Sequence, residues 1–250
     1  MDFTSQLAMK ETLVICGYWE DLEASIDSCI ERIVLYLSEL NRIDPIFSNW
    51  FLPSKSAAST LRNKIPINTE SVKAVVRKAI NEKMGYRITL WNGELDSEKE
   101  SQVRIRCGIH ASVMGVINSC VLRLPMMDIS KASQFSMEEL QELIVLTVKT
   151  WDPGWAIVTS DKLREVVFSK GKPVSRQPYP GYFLYLPKER GEIPTLPHPA
   201  QVVPIEGKGN LIVTVNDSFK TAAEYDGWII DISDILRSKN LLEPMKLNRF

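Results

Sequence analysis

The fold is decided by residues 12–51, which read TLVICGYWEDLEASIDSCIERIVLYLSELNRIDPIFSNWF. The apolar run at 13–15 predicts a buried strand, and residues 17–19 (GYW) predict a corner after it. Beyond the corner, apolar residues recur at three- and four-residue steps, so they share one side of a helix. That side consists of Leu22, Ile26, Cys29, Ile30, Ile33, Leu37 and Leu40. The helix ends near Asp44, because the proline that follows disfavours a helical conformation in the residue before it.

The opposite side of this predicted helix is acidic. Glu20, Asp27 and Glu31 form a second stripe, and residues 20–44 carry seven acids against two arginines, a net charge of −5. Basic charge collects instead in residues 62–87. An acidic helix face is either a solvated surface or a surface for a positively charged partner, and we keep both interpretations.

Alternating apolar and polar residues predict strands further along the chain. Residues 86–91 and 103–107 form a predicted hairpin around an Asn92-Gly93 turn, and 119–124 supply a third strand. Together they predict an antiparallel meander with one buried and one solvated face.

The remaining segments add helices and more strands. Residues 53–69 are predicted to form a loop, followed by a short basic helix to residue 80. Ser136 and Glu139 form a capping box for a helix that stops before Asp152. Strands are predicted at 155–158, 182–186 and 211–215, and helices at 161–168, 218–225 and 232–236.

These elements predict an α+β fold, with a largely antiparallel or mixed sheet and helices packed on it. We expect one domain over residues 1–250 as a single globular unit. The alternative is a C-terminal lobe over 170–250, because the turn residues concentrate at 170–200.

Composition narrows the classes of function. A net charge of −1 and a pI near 6.2 argue against direct nucleic-acid binding through bulk charge. No apolar run is long enough to span a membrane and no signal peptide is evident, so we expect a cytoplasmic protein without membrane contact. The four cysteines lie in apolar contexts and the two histidines have no metal-ligand spacing. We therefore predict buried, reduced thiols, no metal and no cofactor.

The sequence contains little that could catalyse a reaction, and we predict no catalytic residues. Asp152 stands between Trp151 and Trp155, where burial could raise its pKa. Alternatively, it accepts backbone hydrogen bonds in a turn while the tryptophans fill the core, which we favour. A small hydrolase that uses Asp152 and His110 is the enzyme alternative. A structural or adaptor subunit is a third possibility, and it would expose a large apolar patch.

Two tryptophans beside acids are candidates for partner binding. Trp19 precedes Glu20, and Trp91 precedes Glu94. Aromatic side chains surrounded by charge are typical of interface anchors, although core packing is the interpretation that we favour for each residue taken singly. The candidate partner-binding residues are Trp19, Glu20, Asp27, Glu31, Trp91, Glu94 and Asp96.

Several short phrases occur in a characteristic order. They are Tyr18-Trp19 before a helix with Cys29, Asp44-Pro45 before Trp50-Phe51, Leu90-Trp91-Asn92-Gly93, Arg106-Cys107-Gly108, Val121 to Pro125, Trp151-Asp152-Pro153, and Pro204 to Thr214. In this order they resemble the immunity protein 52 family of bacterial polymorphic toxin systems, over about residues 12 to 215.

The resemblance implies both a fold and a partner. Members of the family are taken to be α+β proteins encoded beside toxins that have a restriction-endonuclease-like nuclease domain and are often delivered by type VI secretion. By resemblance, this chain binds a cognate toxin nuclease domain in the cytoplasm and neutralises it. The resemblance supplies no catalytic residues.

Overall fold

One antiparallel sheet organises the part of the chain that the structure describes. The structure is a computed structural model, and it describes residues 10–20, 25–81, 85–108, 117–128, 135–169, 173–174, 176–214 and 226–245. The strands are β1 (Lys10–Trp19), β2 (Trp50–Phe51), β3 (Lys64–Ile65), β4 (Ile80–Asn81), β5 (Gly85–Trp91), β6 (Gln102–Cys107), β7 (Asn118–Asp128), β8 (Trp155–Ser160), β9 (Phe183–Pro187), β10 (Gln201–Ile205) and β11 (Gly209–Val213). Within these residues the strand order is β10-β11-β9-β8-β1-β7-β6-β5-β2-β3, and β4 pairs with β5.

Six helices accompany this sheet in the described residues. They are α1 (Ile26–Ile43), α2 (Ala57–Thr60), α3 (Thr69–Ala79), α4 (Met137–Trp151), α5 (Asp161–Ser169) and α6 (Asp226–Ser238). The predicted capping box of α4 is confirmed, because Glu139 N–H donates to Ser136 Oγ and Ser136 N–H donates to Glu139 Oε2. The antiparallel pairings and packed helices confirm the predicted α+β class.

Strand β1 lies at the centre of the sheet, between β7 and β8. The predicted corner at residues 17–19 is wrong, because these residues continue β1: Gly17 and Tyr18 pair with both β7 and β8, and Trp19 pairs with β7. A Cβ added to Gly17 would lie only 2.9 Å from Thr147 Cγ2 of α4. Glycine at this position therefore lets a helix approach the strand closely.

Helices α1, α3 and α4 pack against one face of the sheet and form the larger core. The predicted inward side of α1 is confirmed by the burial of Cys29, Ile30, Ile33, Leu37 and Leu40. Ile26 is an exception, because this first residue of the helix is 41% exposed. Leu22 lies outside the described residues. Between α1 and α4, the buried hydroxyls of Tyr36 and Thr147 lie 3.1 Å apart.

The other face of the sheet is covered at one end by α6 and the segment that follows it. The side chains that pack there against β8, β9 and β11 are those of Ile232, Leu236, Leu241, Leu242 and Met245. The strands of the predicted C-terminal lobe thus belong to the same sheet as β1. The predicted helix at 232–236 is the end of the longer α6, and the helix predicted at 218–225 lies outside the described residues.

Two predicted connections differ from those in the structure. The loop predicted at residues 53–69 is wrong in part, because this segment contains α2 and β3. The turn predicted at Asn92-Gly93 lies further along, at residues 97–99, whereas the connection 92–101 between β5 and β6 has about the length that the predicted strands leave. We call this connection the acidic loop, because four of its residues are Glu94, Asp96, Glu98 and Glu100.

Candidate partner-binding surface

A single buried amide closes the neck of the acidic loop. The Asn92 side chain is 5% exposed. Its Oδ1 accepts from Ser101 N–H (2.9 Å), and its Nδ2 donates to the Lys99 carbonyl (2.8 Å). The backbone N–H of Asn92 also donates to the Ser101 carbonyl (3.0 Å). These bonds fix the two ends of the loop to each other, which lowers the entropy cost of presenting the loop to a partner.

The rest of the loop is held by its own backbone and by neighbouring strands. Asp96 Oδ1 accepts from Glu98 N–H (3.0 Å), and the Asp96 carbonyl accepts from the N–H groups of residues 99 and 100. The Ser97 carbonyl accepts from Met126 N–H of β7 (2.9 Å). Gly93 has φ +89°, and a Cβ there would lie 2.5 Å from Cε2 of Phe51.

This framework places an apolar side chain among carboxylates. Glu94 and Asp96 are exposed, and Leu95 between them is 71% exposed. Trp91 is half-buried at the end of β5 and packs against Phe51, with ring centroids 6.4 Å apart. The structure thus brings the candidates Trp91, Glu94 and Asp96 to one end of the meander. Leu95 is not among the predicted candidates, although an apolar residue inside an acidic run is a sequence signal that could have identified it.

The acidic residues of α1 form a separate and weaker patch. Asp27 and Glu31 are exposed as predicted. However, Lys73 Nζ of α3 lies 3.0 Å from Asp27 Oδ1. An exposed ion pair of this kind contributes little to stability, but it reduces the negative charge offered to a partner.

Glu20 and Trp19 lie away from the exposed face of α1. Glu20 follows β1, so it is not on the helix. Burial raises the pKa of its carboxyl group, and the positive charges of Arg176 and Arg190 act in the opposite direction and lower it. The Arg190 guanidinium donates to the carbonyls of Gly154 (3.2 Å) and Glu243 (2.7 Å). Trp19 is 3% exposed and stacks on Trp151, with centroids 5.1 Å apart, so core packing describes its environment.

The surroundings of Asp152 are those of a helix C-terminus, and its carboxylate contacts a lysine rather than the backbone N–H groups that we predicted. Asp152 ends α4 with φ 49° and is exposed, and its Oδ1 lies 2.7 Å from Lys208 Nζ. The flanking indoles of Trp151 and Trp155 belong to cores on opposite faces of the sheet, so they do not enclose the carboxylate. Asp152 lines a cavity of about 370 Å³. His110 lies outside the described residues.

The four cysteines are free and buried, as predicted. Cys29 on α1 and Cys107 on β6 place their Sγ atoms 2.7 Å apart. The hydrogen bond with Cys107 is the main cause that lowers the pKa of Cys29, to about 7, while burial opposes the shift. Among the described residues, no group of three potential ligands could hold a metal ion. No helix in the described ranges is long and apolar enough to cross a membrane.

Comparisons with known proteins extend this description. The family model for Immunity protein 52 matches residues 11–245. No curated protein matches the chain. Among solved structures, the Pseudomonas aeruginosa T6SS protein PA0821 has a similar fold, with a TM-score of 0.57 and 10% sequence identity over 95% of this chain and 78% of that chain.

Proposed function

The chain belongs to the immunity protein 52 family, and from this premise we propose that it binds and neutralises a cognate toxin that carries a nuclease domain. The family match over residues 11–245 carries the proposal. The similarity in fold to a T6SS protein supports a toxin delivered by type VI secretion. In this proposal the chain acts in the cytoplasm, transforms no substrate and needs no cofactor.

The acidic loop is the contact that we propose for the toxin. A nuclease must hold the phosphate backbone of its substrate, so its surface carries arginine and lysine side chains. Carboxylates such as those of Glu94 and Asp96 can bind these groups through charge-assisted hydrogen bonds and can accelerate association. Leu95 would enter an apolar pocket between the cations, and Trp91 would support the base of the loop.

The fixed conformation of the acidic loop supports its assignment as the contact for the toxin. Its neck and its far end are already fixed through Asn92, Asp96 and Ser97, so binding does not have to order a flexible segment. The exposed acids of α1 are the competing contact, and Asp27 is already paired with Lys73.

The proposal is tested with the toxin domain encoded beside this chain. Binding is measured by titration calorimetry and inhibition by plasmid cleavage, for wild type, for Glu94→Lys/Leu95→Ser and for Asp27→Lys/Glu31→Lys. Glu206→Lys is the control, because Glu206 is an exposed acid in the turn between β10 and β11. Asp96 is left unchanged because it holds the loop backbone.

We expect the loop variant to bind at least tenfold more weakly, about 1.4 kcal/mol, and the control to remain within twofold of wild type. An affinity of the loop variant within threefold of wild type would remove the loop from the interface. An affinity of the Asp27→Lys/Glu31→Lys variant within threefold of wild type would remove α1 from the interface. A wild-type chain that neither binds nor inhibits the toxin domain would refute the proposed function itself.

A further inference from the structure

Three neighbouring strands present four arginines on one face of the sheet. Along β5, β6 and β7, alternate side chains enter the larger core, and these include Ile88, Ile105 and Leu122. The residues between them point to the other face. We call the basic set on that face the arginine face, and it consists of Arg87, Arg104, Arg106 and Arg123. Arg87, Arg104 and Arg123 are exposed and Arg106 is half-buried.

The strand register concentrates these four side chains. Arg87 lies directly opposite Arg106, and Arg123 lies opposite Gln102. Arg104 lies between them on β6. With strands about 4.8 Å apart and about 6.7 Å between successive residues on one face, the four Cα atoms fall within an area of about 10 by 13 Å.

Folding does not explain this arrangement. Like charges placed directly opposite each other destabilise a sheet. No ion pair to Arg87 or Arg106 is formed by the residues that the structure describes. Arg123 has a long contact of 3.6 Å with Glu100 of the acidic loop, and Arg104 donates to the side chain of Gln102 at 3.4 Å. The arginine face is therefore a cost to stability that suggests a role in binding.

The residue type and the surroundings indicate what this face binds. All four basic residues are arginine, whose planar guanidinium forms paired hydrogen bonds to carboxylates or phosphates. The acidic loop borders the face through the Glu100–Arg123 contact. Its carboxylates would repel a long polyanion that continued past the arginines, whereas a folded protein can match a small basic patch and its acidic border. A carboxylate-bearing protein surface therefore fits better than a nucleic acid.

We infer that the arginine face binds a cluster of carboxylates on the toxin, beside the cationic groups that the acidic loop contacts. This inference rests on the proposed function. A nuclease that uses divalent metal ions holds them with carboxylates, close to the cationic groups that hold the phosphate backbone. Its surface thus has both signs of charge next to each other, and the arginine face with the acidic loop is the complementary arrangement. Two contacts of opposite sign fix the orientation of a partner as well as its position.

The test reverses the charge of the directly opposed pair. Arg87→Glu/Arg106→Glu keeps two like charges opposite each other, so its folding stability should stay close to that of wild type, which thermal unfolding verifies. Arg237→Glu/Lys239→Glu is the control, because both residues are exposed at the end of α6. Arg87→Lys/Arg106→Lys keeps the charge but removes the paired geometry. Affinity for the adjacent toxin domain is measured by calorimetry at low and at moderate salt.

We expect the charge reversal to weaken binding at least thirtyfold, the lysine variant to lie between it and wild type, and the control to stay within twofold. If wild type binds the toxin and the reversal binds within threefold of it, this inference fails while the proposed function stands. If wild type does not bind the toxin, both fail. A short DNA duplex is the second probe. If wild type binds the duplex more tightly than about 1 µM and the charge reversal abolishes this binding, the face is a nucleic-acid site and the inference is overturned.

Discussion

Oxidation is expected to join Cys29 and Cys107 by a disulfide bond. Their Sγ atoms are 2.7 Å apart, near the bonded distance of about 2.05 Å. Two thiolates that share one tetrahedral zinc ion, each at a Zn–S distance of about 2.3 Å, would be separated by about 3.8 Å. The observed separation is therefore closer to that of a disulfide than to that of two zinc ligands. With oxidised glutathione as the oxidant, the two thiols give up two electrons and two protons, and one oxidised glutathione becomes two reduced molecules.

The gain in stability follows from the length of the closed loop. Cys29 and Cys107 are 78 residues apart. Loop-closure entropy for that length gives about 4.5 kcal/mol, and for a chain of this size that corresponds to a rise in Tm of about 9 °C. The link would tie α1 to β6 across the larger core, where the two residues already lie.

The assay counts free thiols in denaturant and measures Tm on the same samples. Both sulfurs are buried, so the chain is refolded with oxidised glutathione rather than treated when folded. The count should fall from four to two, with the higher Tm. Cys16→Ala is the matched control and should still form the bond, whereas Cys29→Ala should keep all three thiols. Four free thiols after refolding, or a disulfide between these residues without a rise in Tm, would refute the reasoning.

Two further predictions concern the charged surfaces. Arg87→Thr should raise the free energy of unfolding by about 0.5 kcal/mol, because it removes the charge opposite Arg106. Urea titration at low salt measures this gain, and it should be smaller for Arg104→Thr, because Arg104 has Thr89 opposite it. Equal gains for the two variants would contradict the repulsion between Arg87 and Arg106. Gly93→Ala should cost about 2–4 kcal/mol, since it combines a positive φ with contact on Phe51, whereas Gly207→Ala has only the positive φ and should cost about 1 kcal/mol. Equal losses for the two glycines would show that Phe51 adjusts without cost.

Local patterns predict the elements of this fold better than their connections. The alternation at 86–91, 103–107 and 119–124 specifies which side chains are buried, and the Ser136 capping box specifies where α4 begins, because both depend on residues close in sequence. Gly17 suggests a corner because a glycine that packs against a helix looks the same in sequence as a glycine in a turn. Glycine is required at position 17 because the side chain of Thr147 lies close to it, and Thr147 is far away in the sequence.

Local sequence likewise predicts only part of the candidate partner-binding surface. A run of acids beside Trp91 is sufficient to predict the acidic loop, and the predicted strands leave about its observed length. The Asn92-Gly93 signal does not show that the amide of Asn92 closes onto Ser101 at the other end of the loop. The alternation also places Arg87 on the solvated face. That Arg106 lies opposite Arg87 depends on strand register, which the local pattern does not specify.

A net charge of −1 conceals two adjacent surfaces of opposite sign, so bulk charge is a poor guide to the partner of this chain. If the acidic loop alone bound a toxin, any sufficiently basic protein could compete for it, because attraction between opposite charges has little geometric selectivity by itself. The arginine face lies on the same strands, and the sheet fixes its distance from the loop. A basic competitor that satisfied the loop would place its own cations against Arg104 and Arg123, and this repulsion would reject it. On this argument the arginines would contribute to the choice of toxin as well as to the strength of binding, and replacing them is expected to weaken discrimination between related toxins together with affinity.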